Sequence, residues 1–275
     1  MIEFDNAGMI ERWFEKLKPM YYLNSVAKKT IYPDGQISCT LNENIPFKKE
    51  GIIWCDLKSY EDLFFLISFA EAISNHTDPN NIEIYIPCLF GQRSDRRFSD
   101  VSSFDLKVIA RCINSCNFGK VYIFDPHSDV SLALIDRSVR ISPRFEVENS
   151  VARLSKNLGV LFGDIVLVSP DAGAYKKTYD IADELGLNMV ASNKVRHDDE
   201  IHINVSGDVV DKNLLIVDDL ADGGYTFKLL SQKLKQMGAK TISLYVSHGL
   251  FTKGFDFPDL NAIFIGDTGK ALIKK

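Results

Sequence analysis

The chain has 275 residues, with 32 Lys and Arg against 37 Asp and Glu, a formal charge of −5. Apolar residues make up 45% and charged residues 25%, which excludes a disordered, collagen-like or low-complexity chain. The net charge offers no field to attract nucleic acid or acidic lipid, so any anionic ligand has to be held by local groups.

The N-terminal stretch MIEFDNAGMIERWF has acids where a secretion signal needs a basic start. No apolar run reaches the roughly 18 residues of a membrane span. The five cysteines, Cys39, Cys55, Cys88, Cys112 and Cys116, form no CxxC pair and argue against a disulfide framework. Cys112 and Cys116 read either as small buried residues or as half a metal site, and no nearby His or Cys completes the set. These features predict a cytoplasmic protein with no membrane or nucleic-acid partner.

In chain order, strands are predicted at Gly51–Asp56, Asn81–Pro87, Lys120–Asp125, Asp164–Ser169, Asn188–Ala191, Asn213–Asp218, Thr241–Ser247 and Ala262–Gly266. They are short, apolar on both faces and bounded by Asp, Ser, Pro or Gly, as buried parallel strands are. Helices are predicted at Glu61–Ser74, at Ser103–Cys116 with Ser102 or Ser103 as cap, at Tyr175–Leu185 and at Thr226–Met237. Gly186 and Gly238 are placed to end the last two. The alternation predicts an α/β fold with parallel sheets flanked by helices. Two similar strand ends, Phe124-Asp125-Pro126-His127 and Val168-Ser169-Pro170-Asp171, suggest a duplication. The stretch Ile141–Val151 lacks periodicity until its end, which puts a junction near residue 146 and domains at 1–146 and 147–275.

The strongest local signal is Leu214-Leu215-Ile216-Val217-Asp218-Asp219-Leu220-Ala221-Asp222-Gly223-Gly224-Tyr225-Thr226. An apolar strand runs into adjacent acids, a glycine pair and a helix start. Charges leaving a buried strand are costly unless partnered, and vicinal sugar hydroxyls suit carboxylates that each accept several hydrogen bonds. A glycine turn at a helix N-terminus lets backbone N–H groups converge on phosphate. The plainer alternative is a helix cap followed by a tight turn.

This segment resembles the phosphoribosyl-pyrophosphate (PRPP) binding signature of phosphoribosyltransferases and PRPP synthetases. Six further stretches, in order, resemble PRPP synthetases (ribose-phosphate pyrophosphokinases) in particular: Tyr32-Pro33-Asp34-Gly35-Gln36, Arg93-Ser94-Asp95-Arg96, Asp125-Pro126-His127, Ser169-Pro170-Asp171-Ala172-Gly173, Lys194-Val195-Arg196, and Ser247-His248-Gly249-Leu250-Phe251. The resemblance implies two tandem phosphoribosyltransferase-type domains. It further implies transfer of the β,γ-diphosphoryl group of ATP, with Mg²⁺, to the anomeric hydroxyl of a ribose 5-phosphate moiety, releasing AMP.

Under that resemblance, Lys194 and Arg196 belong to a mobile catalytic loop. Tyr32, Asp34, Gln36, Arg93, Ser94, Asp95 and Arg96 serve ATP, and Asp218, Asp219, Asp222, Gly223, Gly224, Tyr225 and Thr226 hold the ribose phosphate. His127 and Asp171 stand at the metal, and the Tyr32–Gln36 loop is lent by a neighbouring subunit, implying a homo-oligomer. On the residues alone, the Lys194–Arg196 stretch reads better as a solvated surface loop, His127 has the plainer alternative of a capped turn histidine, and His76, His197 and His202 read as surface or loop residues.

The sequence departs from the pattern at Gly223, where a hydroxyl residue is usual, at Tyr225, where a small one is usual, and at Ser94 and Gln36. The chain also stops soon after Ile265-Gly266-Asp267-Thr268, short of typical bacterial members. These features look like divergent, often phage-encoded members, some of which act on ADP-ribose to rebuild NAD. An aromatic at the loop can stack on whatever lies beyond a phosphodiester, which points toward ADP-ribose over ribose 5-phosphate as acceptor. The rival readings are a phosphoribosyltransferase that consumes PRPP, which needs only the Asp218–Thr226 loop, and a non-catalytic regulatory homologue.

Overall fold

The computed structural model describes residues 2–4, 18–43, 51–197, 200–268 and 271–273; the side chains of 2–4, 195–197, 200–202 and 273 lie outside the description. The described residues fall into two compact units, one within Gly8–Ser142 and one combining Met1–Ala7 with Pro143–Lys275.

The Gly8–Ser142 unit contains a five-stranded sheet in the order Met20–Tyr22, Gly51–Trp54, Ile82–Ile86, Lys120–Phe124, Ser138–Ile141. All its pairings are parallel. The strands are apolar on both faces, and alternate residues go to different clusters. Ile53, Ile84, Ile86, Val121 and Ile123 pack with Leu66, Phe69, Leu106 and Ile109 from the helices Tyr60–Ser74 and Asp105–Ser115. Ile52, Trp54, Tyr85, Tyr122 and Phe124 form an aromatic cluster on the opposite face. Ser59 caps the first of these helices by accepting from Asp62 N–H. A separate hairpin, Ala27–Ile31 with Ile37–Leu41, is pinned to that helix by Lys29, whose ammonium lies 2.6 Å from Glu61 and 2.9 Å from Asp62.

The other unit holds an eight-stranded sheet in the order Ile2–Phe4, Ala271–Ile273, Ala262–Ile265, Thr241–Gly249, Asn213–Ala221, Ile165–Ser169, Met189–His197, Glu200–Ser206. The five central strands are parallel and the outer pairings antiparallel. One face packs Val168, Ile216, Leu244 and Val246 against Phe227, Leu230 and Leu234 of the helix Tyr225–Gln236. The opposite face packs Leu167, Leu215, Val217 and Tyr245 against the helices Arg144–Leu158 and Ala172–Leu185. Gly186 ends the latter helix in the left-handed region, with φ 66°, where a Cβ is strained.

Three expectations need correction. The expected cap Ser102 instead accepts from Phe98 and Ser99 N–H, and the helix starts at Asp105 with Phe104 at its cap position and no side-chain cap bond. The stretch read as lacking periodicity up to residue 151 is helical from Arg144, with Glu146, Val147, Ser150 and Val151 all buried; the two polar residues among them break the apolar pattern. The segment read as a loop around Lys194 and Arg196 is strand, since Met189–His197 pairs antiparallel with Glu200–Ser206. His197 and His202 accordingly stand on strands rather than in loops. All five cysteines are free thiols, and burial pushes Cys116 up to about 12, which disfavours the thiolate a metal would bind.

Glu146, in the first turn of the helix Arg144–Leu158, is buried, and burial pushes its carboxyl up to about 7 while the Arg153 charge opposes the rise. An acid with a higher pKa in the folded chain holds its proton more tightly when folded. Its contribution is therefore present at low pH and lost as pH rises from the ordinary carboxylate range through about 7. Glu146→Gln should flatten that decline and, near pH 8, raise stability by up to roughly 3 kcal/mol. Thermal unfolding of both proteins between about pH 5 and pH 8 checks this; parallel pH profiles would contradict it.

Candidate functional site

The strand Asn213–Ala221 is buried through Val217, and the two acids follow at its carboxyl end. Asp219 is 8% exposed and its backbone N–H donates to Asp218 Oδ1 at 2.9 Å. Protein crowded around the Asp218 carboxyl pushes its pKa well above the usual range; the Asp219 charge adds to this, Lys177 opposes it, and Asp171 acts in the same direction as Asp219. Asp171, Asp218 and Asp219 therefore form one electrostatic group. Lys177, which the sequence reading did not single out, faces this group, with its ammonium 3.6 Å from Asp219. It sits on the helix Ala172–Leu185 between buried Ala174 and buried Ile181, so helical spacing turns it toward the sheet.

Asp171 caps that same helix, its Oδ1 accepting from Gly173 N–H at 2.9 Å and Ala174 N–H at 3.0 Å. The turn before it is fastened by Ser192, whose hydroxyl donates to the carbonyls of Ser169 and Pro170. Ser192 stands two residues before Lys194 on the neighbouring strand.

After the acids the chain turns through Asp222, Gly223 and Gly224 into the helix Tyr225–Gln236. Gly224 has φ 72°, and a Cβ there would lie 2.3 Å from the ring of Phe257. Both conformation and space therefore require glycine at this position. Phe257 belongs to an aromatic group with Phe251 and Phe255, with Phe251 4.4 Å from Phe255 and 6.0 Å from Phe257 between ring centroids. The first intrahelical bond runs from Lys228 N–H to Gly224 carbonyl, so the N–H groups just before it are unused by the helix. The Lys194 ammonium donates to Thr226 Oγ1 at 3.2 Å. The structure thus joins Lys194, Thr226, the glycine turn and the acids in one unit. Tyr225, 61% exposed, stands at the first helical position.

Ser247, His248 and Gly249 finish the strand Thr241–Gly249, beside the acid-bearing strand, with Leu220 opposite His248 and Ala221 opposite Gly249. A Cβ at Gly249 would lie 2.6 Å from the Phe251 ring, which explains the glycine in Ser-His-Gly-Leu-Phe. His248 is fully buried, with Nδ1 3.5 Å from Asp267 Oδ2.

Apart from Arg196, the remaining expected residues lie in the Gly8–Ser142 unit. Tyr32, Asp34 and Gln36 form the exposed tip of the hairpin, closed by Tyr32 N–H to Gln36 carbonyl at 2.8 Å and Gln36 N–H to Asp34 Oδ1 at 3.0 Å. Arg93, Ser94, Asp95 and Arg96 follow the strand Ile82–Ile86, with both arginines exposed, and the Arg96 guanidinium lies 5.6 Å from the Phe98 ring centre. Exposed His127 follows the adjacent strand, and its backbone N–H donates to Gln92 Oε1 at 2.9 Å. Gln92 is buried and ties the turns of Arg93 and His127 together. It was missed because only its charged neighbours attract notice. Arg196 is placed on its strand, and its side chain is outside the described residues.

Residues 145–254 match the phosphoribosyl transferase domain family. The chain is 24% identical over 246 residues to a ribose-phosphate pyrophosphokinase of Thermotoga maritima, covering 86% of this chain and 76% of that protein. It is 27% identical over 248 residues to that of Mycoplasma pneumoniae, covering 88% and 73%. Among solved structures, a phosphoribosylpyrophosphate synthetase from Mycobacterium smegmatis superimposes with a TM-score of 0.72 at 17% identity, covering 90% of this chain and 88% of that one. The expected α/β fold with parallel sheets and helices is borne out by this likeness. The resemblance carried by the ordered motifs extends over most of the chain and is to proteins named as enzymes.

Removing one partner of a buried charge pair strands the other. Lys177→Met should therefore cost about 3 kcal/mol near neutral pH. The cost should shrink in acid, as Asp218, whose carboxyl is raised by burial and by the Asp219 charge, takes up its proton, and Lys177→Arg should retain most of the stability. Urea unfolding at about pH 7 and about pH 4.5 reads this out; a pH-independent cost would assign Lys177 a packing role alone.

Proposed function

We propose that this protein is a Mg²⁺-dependent diphosphokinase that transfers the β,γ-diphosphoryl group of ATP to the anomeric hydroxyl of a ribose 5-phosphate moiety and releases AMP. The observation that carries this reading is the contact between Lys194 and Thr226. It joins the cation assigned to the diphosphoryl group to the loop assigned to the acceptor, next to acids suited to sugar hydroxyls. The relatives named ribose-phosphate pyrophosphokinase support the reaction class.

In this reading the loop Asp222–Thr226 takes the acceptor phosphate on backbone N–H groups, and Asp218 and Asp219 accept from the ribose hydroxyls. The anomeric oxygen attacks the β-phosphorus, the bond to the α,β-bridging oxygen breaks, and AMP leaves. Charge builds on the transferred oxygens, and positioned cations are the main source of acceleration. Lys194 and Arg196 supply charge on the transferred group, and Arg93 and Arg96 bind ATP phosphates, with Ser94 and Asp95 in the same turn. Tyr32, Asp34 and Gln36 read the adenine; their place at an exposed hairpin tip suits service to a neighbouring subunit, and hence a homo-oligomer.

Asp171, Asp218 and Asp219 share one field, with the Lys177 ammonium 3.6 Å from Asp219, an oxygen-rich surrounding that fits a hard divalent cation. Asp171 would hold Mg²⁺, which when bound offsets charge on the phosphate oxygens, and His127 is assigned to a metal by the resemblance alone. The domain division proposed here assigns the ATP-reading residues to 1–146 and the ribose-phosphate loop to 147–275.

The acceptor we favour is ADP-ribose over ribose 5-phosphate. Tyr225 stands exposed at the loop and can stack on a group beyond the phosphate. Purified protein given MgATP and either acceptor should release AMP, faster with ADP-ribose, and Lys194→Ala should lower kcat by about 10²-fold or more. ATP left intact with both acceptors would overturn the reading, and consumption of PRPP with a free base would favour a phosphoribosyltransferase. Faster release with ribose 5-phosphate would overturn only the role given to Tyr225.

A further inference from the structure

The segment after Gly249 is laid against the start of the glycine turn by hydrogen bonds. The Ala221 carbonyl accepts from Leu250 N–H at 2.8 Å and Phe251 N–H at 3.1 Å. The Asp222 carbonyl accepts from Thr252 N–H at 3.1 Å, and the Thr252 hydroxyl donates to Asp222 Oδ1 at 2.8 Å. Four hydrogen bonds fix this register, so the next residue, Lys253, falls beside the next position, Gly223. A Cβ built on Gly223 would meet the lysine stem, with Cδ at 3.4 Å, Cε at 3.6 Å and Cγ at 3.7 Å. The ammonium is one bond of about 1.5 Å beyond Cε, hence within about 5 Å of that point.

Gly223 is where the resemblance leads one to expect a hydroxyl. No positive φ requires glycine there, unlike at Gly224. The space a side chain would enter is the space the lysine stem lies against. We propose that Lys253 is a specificity-determining contact for the acceptor phosphate, supplying by charge what the missing side chain at Gly223 would supply by a hydroxyl hydrogen bond. This rests on the reading that the loop holds the acceptor phosphate. A hydroxyl is a directional neutral donor, whereas a flexible ammonium follows charge and has three donors to turn. A loop served by Lys253 therefore takes a phosphate whether it ends the molecule or is esterified to a further group. Gly223 keeps the entrance narrow in atoms, and Lys253 keeps it positive next to Asp222.

The test is steady-state AMP release with each acceptor, at low and raised salt. Lys253→Met should raise the acceptor KM about tenfold with kcat within about twofold, and should weaken the dependence of KM on salt. Lys253→Arg should restore KM. Adding Gly223→Thr to Lys253→Met should recover binding more for ribose 5-phosphate, a terminal phosphate, than for ADP-ribose. An acceptor KM and salt dependence unchanged in Lys253→Met, with its thermal unfolding intact, would overturn the inference. So would equal recovery of both acceptors by the double variant. If the wild-type protein released no AMP, the underlying function would fail instead. Calorimetric titration with ribose 5-phosphate in the absence of ATP would then still read Lys253, with tenfold weaker binding supporting it and equal binding refuting it.

Discussion

The conformation of the glycine turn depends on Phe257. Its ring occupies the place of a side chain at Gly224 and leaves that residue in the left-handed region, φ 72°. With the turn held so, the helix Tyr225–Gln236 starts immediately after it and its leading N–H groups open at the strand end. Phe251 packs against that ring and is itself packed by Phe255, and Gly249 is small because Phe251 folds back over it. Two motifs that look independent in the sequence, Asp-Gly-Gly-Tyr-Thr and Ser-His-Gly-Leu-Phe, are two sides of one packed joint.

The second constraint is electrostatic. A parallel sheet ends its strands in a region that side chains cover, and acids there are costly without partners. Asp218 and Asp219 share the field of Asp171 and the ammonium of Lys177. Lys177 opposes the protonation that burial and the neighbouring acids favour at Asp218, which keeps negative charge in the group. The residual negative charge is what sugar hydroxyls and a hard cation both answer, and the cations that suit phosphate, Lys194 and Lys253, come from other elements of the same unit.

Much of the fold was legible because parallel strands buried on both faces are written as short apolar runs. The strands Gly51–Trp54, Ile82–Ile86, Lys120–Phe124 and Ile165–Ser169 lie within the predicted stretches. Pairing then carried some strands beyond their apolar part: Asn213–Ala221 continues through the acids, and Met189–His197 continues through Lys194, because a neighbouring strand supplies hydrogen bonds where composition signals a loop. The hairpin Ala27–Ile31 with Ile37–Leu41 is polar and half-exposed, and its anchor, Lys29 with Glu61 and Asp62, is invisible to periodicity. In the candidate site, the acids and the glycine turn were legible from chemistry and order. Lys177 was legible in principle, since it shares a helical face with Ala174 and Ile181. Gln92, Ser192 and Lys253 were not, because their partners are set by tertiary register.

The central claim is that the turn Asp222–Thr226 is an acceptor-phosphate site with Asp218 and Asp219 at the sugar. A crystal structure of the protein with bound ADP-ribose or ribose 5-phosphate tests it most directly. The account predicts the ribose-linked phosphate within hydrogen-bond distance of the backbone N–H groups at the start of the helix Tyr225–Gln236, and the ribose hydroxyls on the two carboxylates. A sugar phosphate seated elsewhere, with this turn in contact only with solvent, would contradict it.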